Sequence, residues 1–147
     1  MIPRSNAAKK GGNDMAIDKD LAMKLWDDIY PNKRFVRDCF GTWMCREAYS
    51  NEAVTMRDHF GSSKYYDYSW NVDHIRPKST FNSEREADDL NNLEPIHRQN
   101  NLAKSDDYPH FEVNNKNYRV VRNPYGGYGI VDSYGNRVDW KKDGRHY

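Results

Sequence analysis

At 147 residues the chain has the length of one domain. Hydrophobic residues make up 37%, against roughly 45–50% in an average globular protein, and no apolar run approaches the ~18 residues of a membrane-spanning helix. Lys and Arg number 23 against 22 Asp and Glu, a net charge of +1, so bulk charge does not announce a nucleic-acid partner; the 14% aromatic content excludes a wholly unfolded chain.

In chain order, residues 1–14 are polar and read as a disordered lead or cloning remnant, with Met15 as the natural start and 15–147 as a single domain. A helix is predicted over Asp18–Ile29. Leu21, Leu25 and Ile29 fall four apart on one face, Asp18 or Asp20 caps the start, and Pro31 stops the helix. Arg34–Tyr49 reads as a strand–turn–strand unit around Gly41, and Asn51–Ser63 as a loop or short helix. Trp70–Ile75 alternates as a strand that Pro77 ends. A polar loop follows, then a short apolar return around Leu93 and Ile96 and a short helix from about His97 to Lys104. Beyond Asp106, Phe111–Val113, Tyr118–Arg122, Tyr128–Val131 and Arg137–Trp140 are separated by Asn- and Gly-rich turns, which predicts an antiparallel meander. Two cysteines, Cys39 and Cys45, are too few for a disulfide framework or a four-Cys zinc site, and read as packed thiols in a reducing, cytoplasmic setting.

The segment with chemistry is Ser69–Asp106. Asp73 is a hard oxygen donor for a divalent cation. His74, an imidazole largely neutral at pH 7, can take a proton from water. Their side chains point to opposite faces of a strand, so a bend at its end is needed to bring both to one site. Asn101 adds an uncharged oxygen.

Taken together, Asp73-His74-Ile75-x-Pro77, Asn92-Leu93 and Asn101-x-x-Lys104 resemble the HNH endonuclease family, the ββα-metal or His-Me finger nucleases. His74 and Asn92 lie 18 apart, and Asn92 and Asn101 lie 9 apart, as in relatives with Asn at the third position. The resemblance implies an α+β fold. Its ββα-metal core, about 69–106, stands between an N-terminal helix and hairpin and a C-terminal antiparallel β-meander. It implies His74 as the general base, Asn92 as the residue bracing the loop, and Asp73 and Asn101 as ligands of Mg²⁺ or Mn²⁺. Arg76, Lys78, His97 and Lys104 are substrate-contact candidates. For His97 the first role is at the helix start, and for Lys104 a solvent-facing place is equally open. His59, His110 and His146 have no partner motif and read as surface residues.

The family's paired Cys-x-x-Cys knuckles are missing, so no structural zinc is expected; a Gly-Gly pair common in the loop after the His-bearing strand is replaced by Thr80-Phe81-Asn82-Ser83. The implied activity is hydrolysis of DNA phosphodiesters to 5′-phosphate and 3′-hydroxyl by a small phage- or bacterial-type enzyme, acting alone, as a homodimer or with a partner protein. An accessory protein of a phage packaging machine, or a nuclease toxin, are the rival readings. The motif lies in the most acidic stretch: residues 63–106 hold six basic and eight acidic side chains, between flanks with slight basic excess. Few phosphate contacts and a shallow salt dependence are therefore expected.

Overall fold

The computed structural model describes residues 17–139. The predicted lead, Trp140 and His146 lie outside them. Within the described residues the chain is mixed, with three α-helices and small antiparallel sheets.

Helix α1 spans Lys19–Ile29, with the Asp18 carboxylate accepting from the Leu21 amide at 2.8 Å and occupying one of the orphan donors of the first turn. Its apolar stripe buries Ala22, Leu25, Trp26 and Ile29. That stripe packs on hairpin β1 (Phe35–Arg37) and β2 (Trp43–Cys45) and on the strand pair that follows, around Met44, Tyr68, Trp70 and Leu93. The Trp26 and Trp70 rings meet at 4.9 Å.

A second hairpin pairs β3 (Thr55–Arg57), inside the Asn51–Ser63 stretch expected to be a loop or short helix, with β4 (Tyr65–Asp67) just beyond it. Its strands are three residues long and mostly exposed, too short to show a burial period. The turn between them, rather than an apolar stripe, makes the chain double back.

Strand β5 (Trp70–His74) pairs antiparallel with β6 (Leu93–His97), in a register that sets Asp73 opposite Glu94 and His74 opposite Leu93. Pro95 has no N–H to donate, which is tolerated because β6 has a partner on one side only. Between the two strands run 3-10 turns at Lys78–Thr80 and Leu90–Asn92 and the four-residue helix α2 (Glu84–Ala87), capped by Ser83. Helix α3 (Arg98–Lys104) follows β6 directly.

The C-terminal meander is β7 (His110–Val113), β8 (Lys116–Arg122) and β9 (Tyr128–Asp132). The expected fourth strand is, among the described residues, only a bridge from Arg137 to Val131. Phe111, Val113, Tyr118, Val120 and Ile130 form a second core with Ile75, and this wedges the meander against the end of β5. The protein thus braces the β5–β6–α3 unit from both sides with apolar packing. Cys45 is buried and Cys39 half-buried, both as free thiols. Among the described residues no helix is long and apolar enough to cross a membrane.

Candidate active site

The site is built where β5 ends. Ile75 donates its amide to the Asn92 carbonyl at 2.8 Å. The Asn92 side chain completes the clasp: Oδ1 accepts from the Arg76 amide at 2.8 Å, while Nδ2 donates to the Arg76 carbonyl at 3.1 Å and the Ala87 carbonyl at 2.9 Å. With its side chain buried, Asn92 satisfies backbone groups on both sides of the loop, which sets the exit of the strand just past His74.

His74 turns away from Asp73, as alternation requires. Its Nε2 lies 2.7 Å from Asp88 Oδ1, at the C-terminal end of α2. A carboxylate oxygen accepts here, so Nε2 carries the hydrogen, and in the neutral ring that leaves the lone pair on Nδ1. The imidazole is 12% exposed and Asp88 32%, so the pair stands at a protected edge with access to water. Asp88 was not singled out from the sequence. It sits among Glu84, Glu86 and Asp89 in a run that reads as a solvated acidic loop, and only the fold selects it.

Asp73 points inward and is buried. Its Oδ1 accepts from Lys104 Nζ at 3.3 Å, and the same ammonium donates to the His74 carbonyl at 3.1 Å. Asp73 Oδ2 is buried with no hydrogen-bond partner among the described residues. Burial pushes the Asp73 carboxyl up, against the opposing pull of the Lys104 and His74 charges. Asn101, one turn before Lys104 on α3, donates Nδ2 to Asn71 Oδ1, two residues before Asp73 on β5. Its own Oδ1 receives no hydrogen bond among the described residues. Asn71, also unnoticed in the sequence, is thereby the strand's anchor for that amide.

The structure thus brings Asp73 and Asn101 to the facing sides of β5 and α3. It joins them through Lys104 and Asn71 rather than to each other. No cluster of three His, Cys, Asp or Glu side chains suited to a metal ion occurs among the described residues. The orphaned oxygen of Asp73 and the carbonyl oxygen of Asn101 are nonetheless hard, oxygen-only donors of the kind Mg²⁺ and Mn²⁺ take, with the remaining positions left to water.

Three substrate-contact candidates have other partners. Lys104 has no exposed surface, and its ammonium also lies 5.3 Å from the Phe111 ring centroid, so it serves the interior and does not meet a phosphate. His97 is buried as the cap of α3. Nδ1 accepts from the Gln99 amide at 3.1 Å, which leaves the Nε2 hydrogen to donate to the Asp67 carbonyl at 2.7 Å. Arg76 donates to Thr80 Oγ1, the Thr80 carbonyl and the Tyr128 hydroxyl, with Phe81, Tyr108 and Tyr128 rings around its guanidinium. It ties the loop after β5 to the meander. Lys78 remains at the edge, 3.5 Å from Glu84 and partly exposed. His59 is not a free surface residue either: its ring stacks on Phe35 at 4.4 Å, and Nδ1 meets the Tyr68 hydroxyl at 2.8 Å.

Residues 57–107 match the family described as HNH endonuclease. That span runs from the β3–β4 turn past α3 and contains Asp73, His74, Asp88, Asn92, Asn101 and Lys104. The match covers about a third of the chain's length and marks that stretch as HNH-like. No curated protein and no solved structure matches the chain. The class of chemistry that family defines is nucleic-acid cleavage.

Proposed function

We propose that the protein is a metal-dependent endonuclease that hydrolyses DNA phosphodiester bonds, with β5, β6 and α3 as its ββα-metal core. The observation that carries this reading is the 2.7 Å contact between His74 Nε2 and Asp88, at the end of the strand that an HNH match spans. It leaves Nδ1 as a proton acceptor at the strand end, one residue along the chain from a buried carboxylate with an unfilled oxygen.

His74 Nδ1 takes a proton from water as the water oxygen attacks phosphorus. Asp88 holds the ring in the tautomer with Nδ1 open and stabilises the imidazolium that forms. The bond from phosphorus to the 3′ oxygen breaks, and the leaving oxygen takes a proton from solvent, giving a 5′-phosphate and a 3′-hydroxyl. Asp73 and Asn101 would hold one divalent cation, Mg²⁺ or Mn²⁺, which when bound supplies charge stabilisation at the phosphate and the leaving oxygen. Asn92 keeps the strand end in register, and Lys78 is placed to contact a phosphate of the strand being cut.

The test is cleavage of supercoiled plasmid by the full chain with Mg²⁺, Mn²⁺ or EDTA. Cleavage should need the cation and fall about 10²- to 10⁴-fold in His74→Ala. Undiminished turnover by that variant, or cleavage in EDTA, would overturn the assignment.

A further inference from the structure

Two hairpins of this chain turn on one pattern. Arg37-Asp38-Cys39-Phe40-Gly41-Thr42 joins β1 to β2, and Arg57-Asp58-His59-Phe60-Gly61-Ser62 leads from β3 toward β4. The geometry repeats as well. In each, the Asp Oδ1 accepts from the Phe amide at 3.0 Å, and the Gly amide donates to the Asp carbonyl at 2.9 Å. Gly41 and Gly61 have φ of 91° and 95°, a conformation open to glycine and costly for other residues.

What differs is the destination of the phenylalanine. Phe40 packs edge-on against Phe111 and Tyr118 at 6.0 and 4.9 Å, and Asp38 is buried, where it also accepts from the His97 amide and the Asn100 side chain. The first turn is an internal anchor. In the second, Phe60 is 72% exposed, and on β4 of the same hairpin Tyr65 at 63% and Tyr66 are exposed as well. The turn itself is made by Asp58 and Gly61; the Phe60 ring touches His59 at 4.1 Å and Trp43 at 5.5 Å on one side and leaves most of its surface open.

Cations outnumber anions around these rings. Arg57 and Lys64 are exposed, and the Arg37 guanidinium lies over Trp43, whose ring meets Phe60 edge-on at 5.5 Å. None of the three has a carboxylate partner among the described residues. Of the nearby acids, Asp67 is paired with Arg98 at 3.0 Å, and Asp58 is bound by Ser62 and the Phe60 amide. A two-stranded ribbon fits the major groove of a DNA duplex. Basic side chains at its rim meet phosphates, and exposed rings can make apolar contact with base edges such as the thymine methyl.

We propose that the β3–β4 hairpin is a duplex-DNA contact surface separate from the cleavage centre, with Phe60 and Tyr65 as base-contacting rings and Arg57 and Lys64 on phosphates. This rests on the preceding section only for DNA as the polymer bound.

The experiment measures affinity for a labelled duplex by fluorescence anisotropy over a range of salt, using the full chain carrying His74→Ala, with and without Phe60→Ala or the pair Arg57→Gln and Lys64→Gln. Phe60→Ala should weaken binding about tenfold. The paired variant should weaken it and lower the slope of log affinity against log salt by about 2. Phe60 touches Trp43 and His59, and Arg57 donates Nε to the Ser62 carbonyl at 3.0 Å, so melting temperatures are measured for every variant, and Lys64→Gln alone, which removes no such contact, replaces the pair if it melts lower. Unchanged affinity in both variants overturns the surface, as does a dimer that Phe60→Ala converts to monomer, which would make the hairpin a contact between copies. The same changes placed in the chain with His74 intact separate the two readings. Plasmid cleavage at the parental rate, with parental affinity, rejects the hairpin and leaves the nuclease. No cleavage by the parent rejects the nuclease, while the anisotropy still decides the surface.

Discussion

Lys104 and Asp73 form an ion pair closed off from solvent, with Nζ 3.3 Å from Oδ1 and side-chain exposures of 0% and 4%. A buried cation thus sits at the carboxylate proposed to bind a metal ion, and it meets half of that carboxylate while Oδ2 stays unfilled. Removing one member of a buried pair leaves the other charge uncompensated and costs about 3–5 kcal/mol. Lys104→Met should therefore lower the melting temperature of the metal-free protein sharply. Added Mn²⁺ should raise that temperature more in Lys104→Met than in the wild type, because the cation replaces the lost charge. Equal shifts in both proteins would show that metal and ammonium do not share Asp73.

Asp88 orients His74 without touching the substrate, so its loss should act on turnover and not on binding. Asp88→Asn offers an amide that can donate as well as accept, and the tautomer with Nδ1 open is no longer enforced. A fall in kcat of about 10²-fold is expected, with DNA affinity and melting temperature retained. Asp88→Glu should recover part of the rate. A rise in KM at constant kcat would place Asp88 in DNA binding instead.

Legibility from the sequence followed the range of the interaction. Helix α1 was readable because its signals are local: the four-residue spacing of Leu21, Leu25 and Ile29 and the cap at Asp18. Strand β5 showed in its alternation, and the meander in its Asn- and Gly-rich turns. Asp73, His74, Asn92 and Asn101 were singled out by the resemblance of their motif to the HNH family and not by any local folding signal. Lys104 could not be placed, since a lysine near a helix C-terminus reads as solvent-facing unless a carboxylate 31 positions earlier is known to lie beneath it. Arg76 looked available for phosphate because its partner Tyr128 is 52 positions away. The β3–β4 hairpin was missed because its order resides in the Asp58 turn and not in a buried face.

Asn92 holds three backbone groups, of which the bond to the Ala87 carbonyl is fully buried. Asn92→Ala should strand them and cost about 1–3 kcal/mol for each group left unsatisfied. Asn92→Asp keeps Oδ1 for the Arg76 amide but cannot donate to the Arg76 and Ala87 carbonyls, so it should also destabilise. Chemical denaturation of the two variants checks the order. Wild-type stability in either would mean that the clasp is redundant.

Gly127 transmits the meander's position to this clasp. A Cβ there would lie 2.3 Å from both Cβ and the carbonyl oxygen of Asn91, the neighbour of Asn92. Its φ of 80° is itself unfavourable to alanine. Gly127→Ala should push the 3-10 turn away from β9, lower stability by about 1–3 kcal/mol, and reduce cleavage although residue 127 is outside the HNH match. Gly126→Ala is the control: it has a φ of 105° but open space around the new Cβ, so it carries the backbone strain without the collision. Equal losses in the two variants would remove the steric argument.

Asp67 sets how the fold answers to acid. Burial works against its charge, but the Ser69 side chain and amide, Arg98 and the Val54 amide more than offset that and hold the carboxyl at about 2, below its usual 3.8. These bonds tie β4 to the start of β5 and to α3, the two elements that carry Asp73 and Asn101. A depressed folded-state pKa means that the folded state holds its proton less tightly than the unfolded chain. The stabilisation is complete above the unfolded value near 4 and is lost as the pH falls through about 2. A shift of this size corresponds to about 2 kcal/mol at neutral pH. Asp67→Asn should destabilise by that order at pH 7 and progressively less below pH 4, so that melting curves of variant and wild type converge toward pH 2. A gap that stays constant across this range would assign the loss to packing and not to the carboxylate's charge.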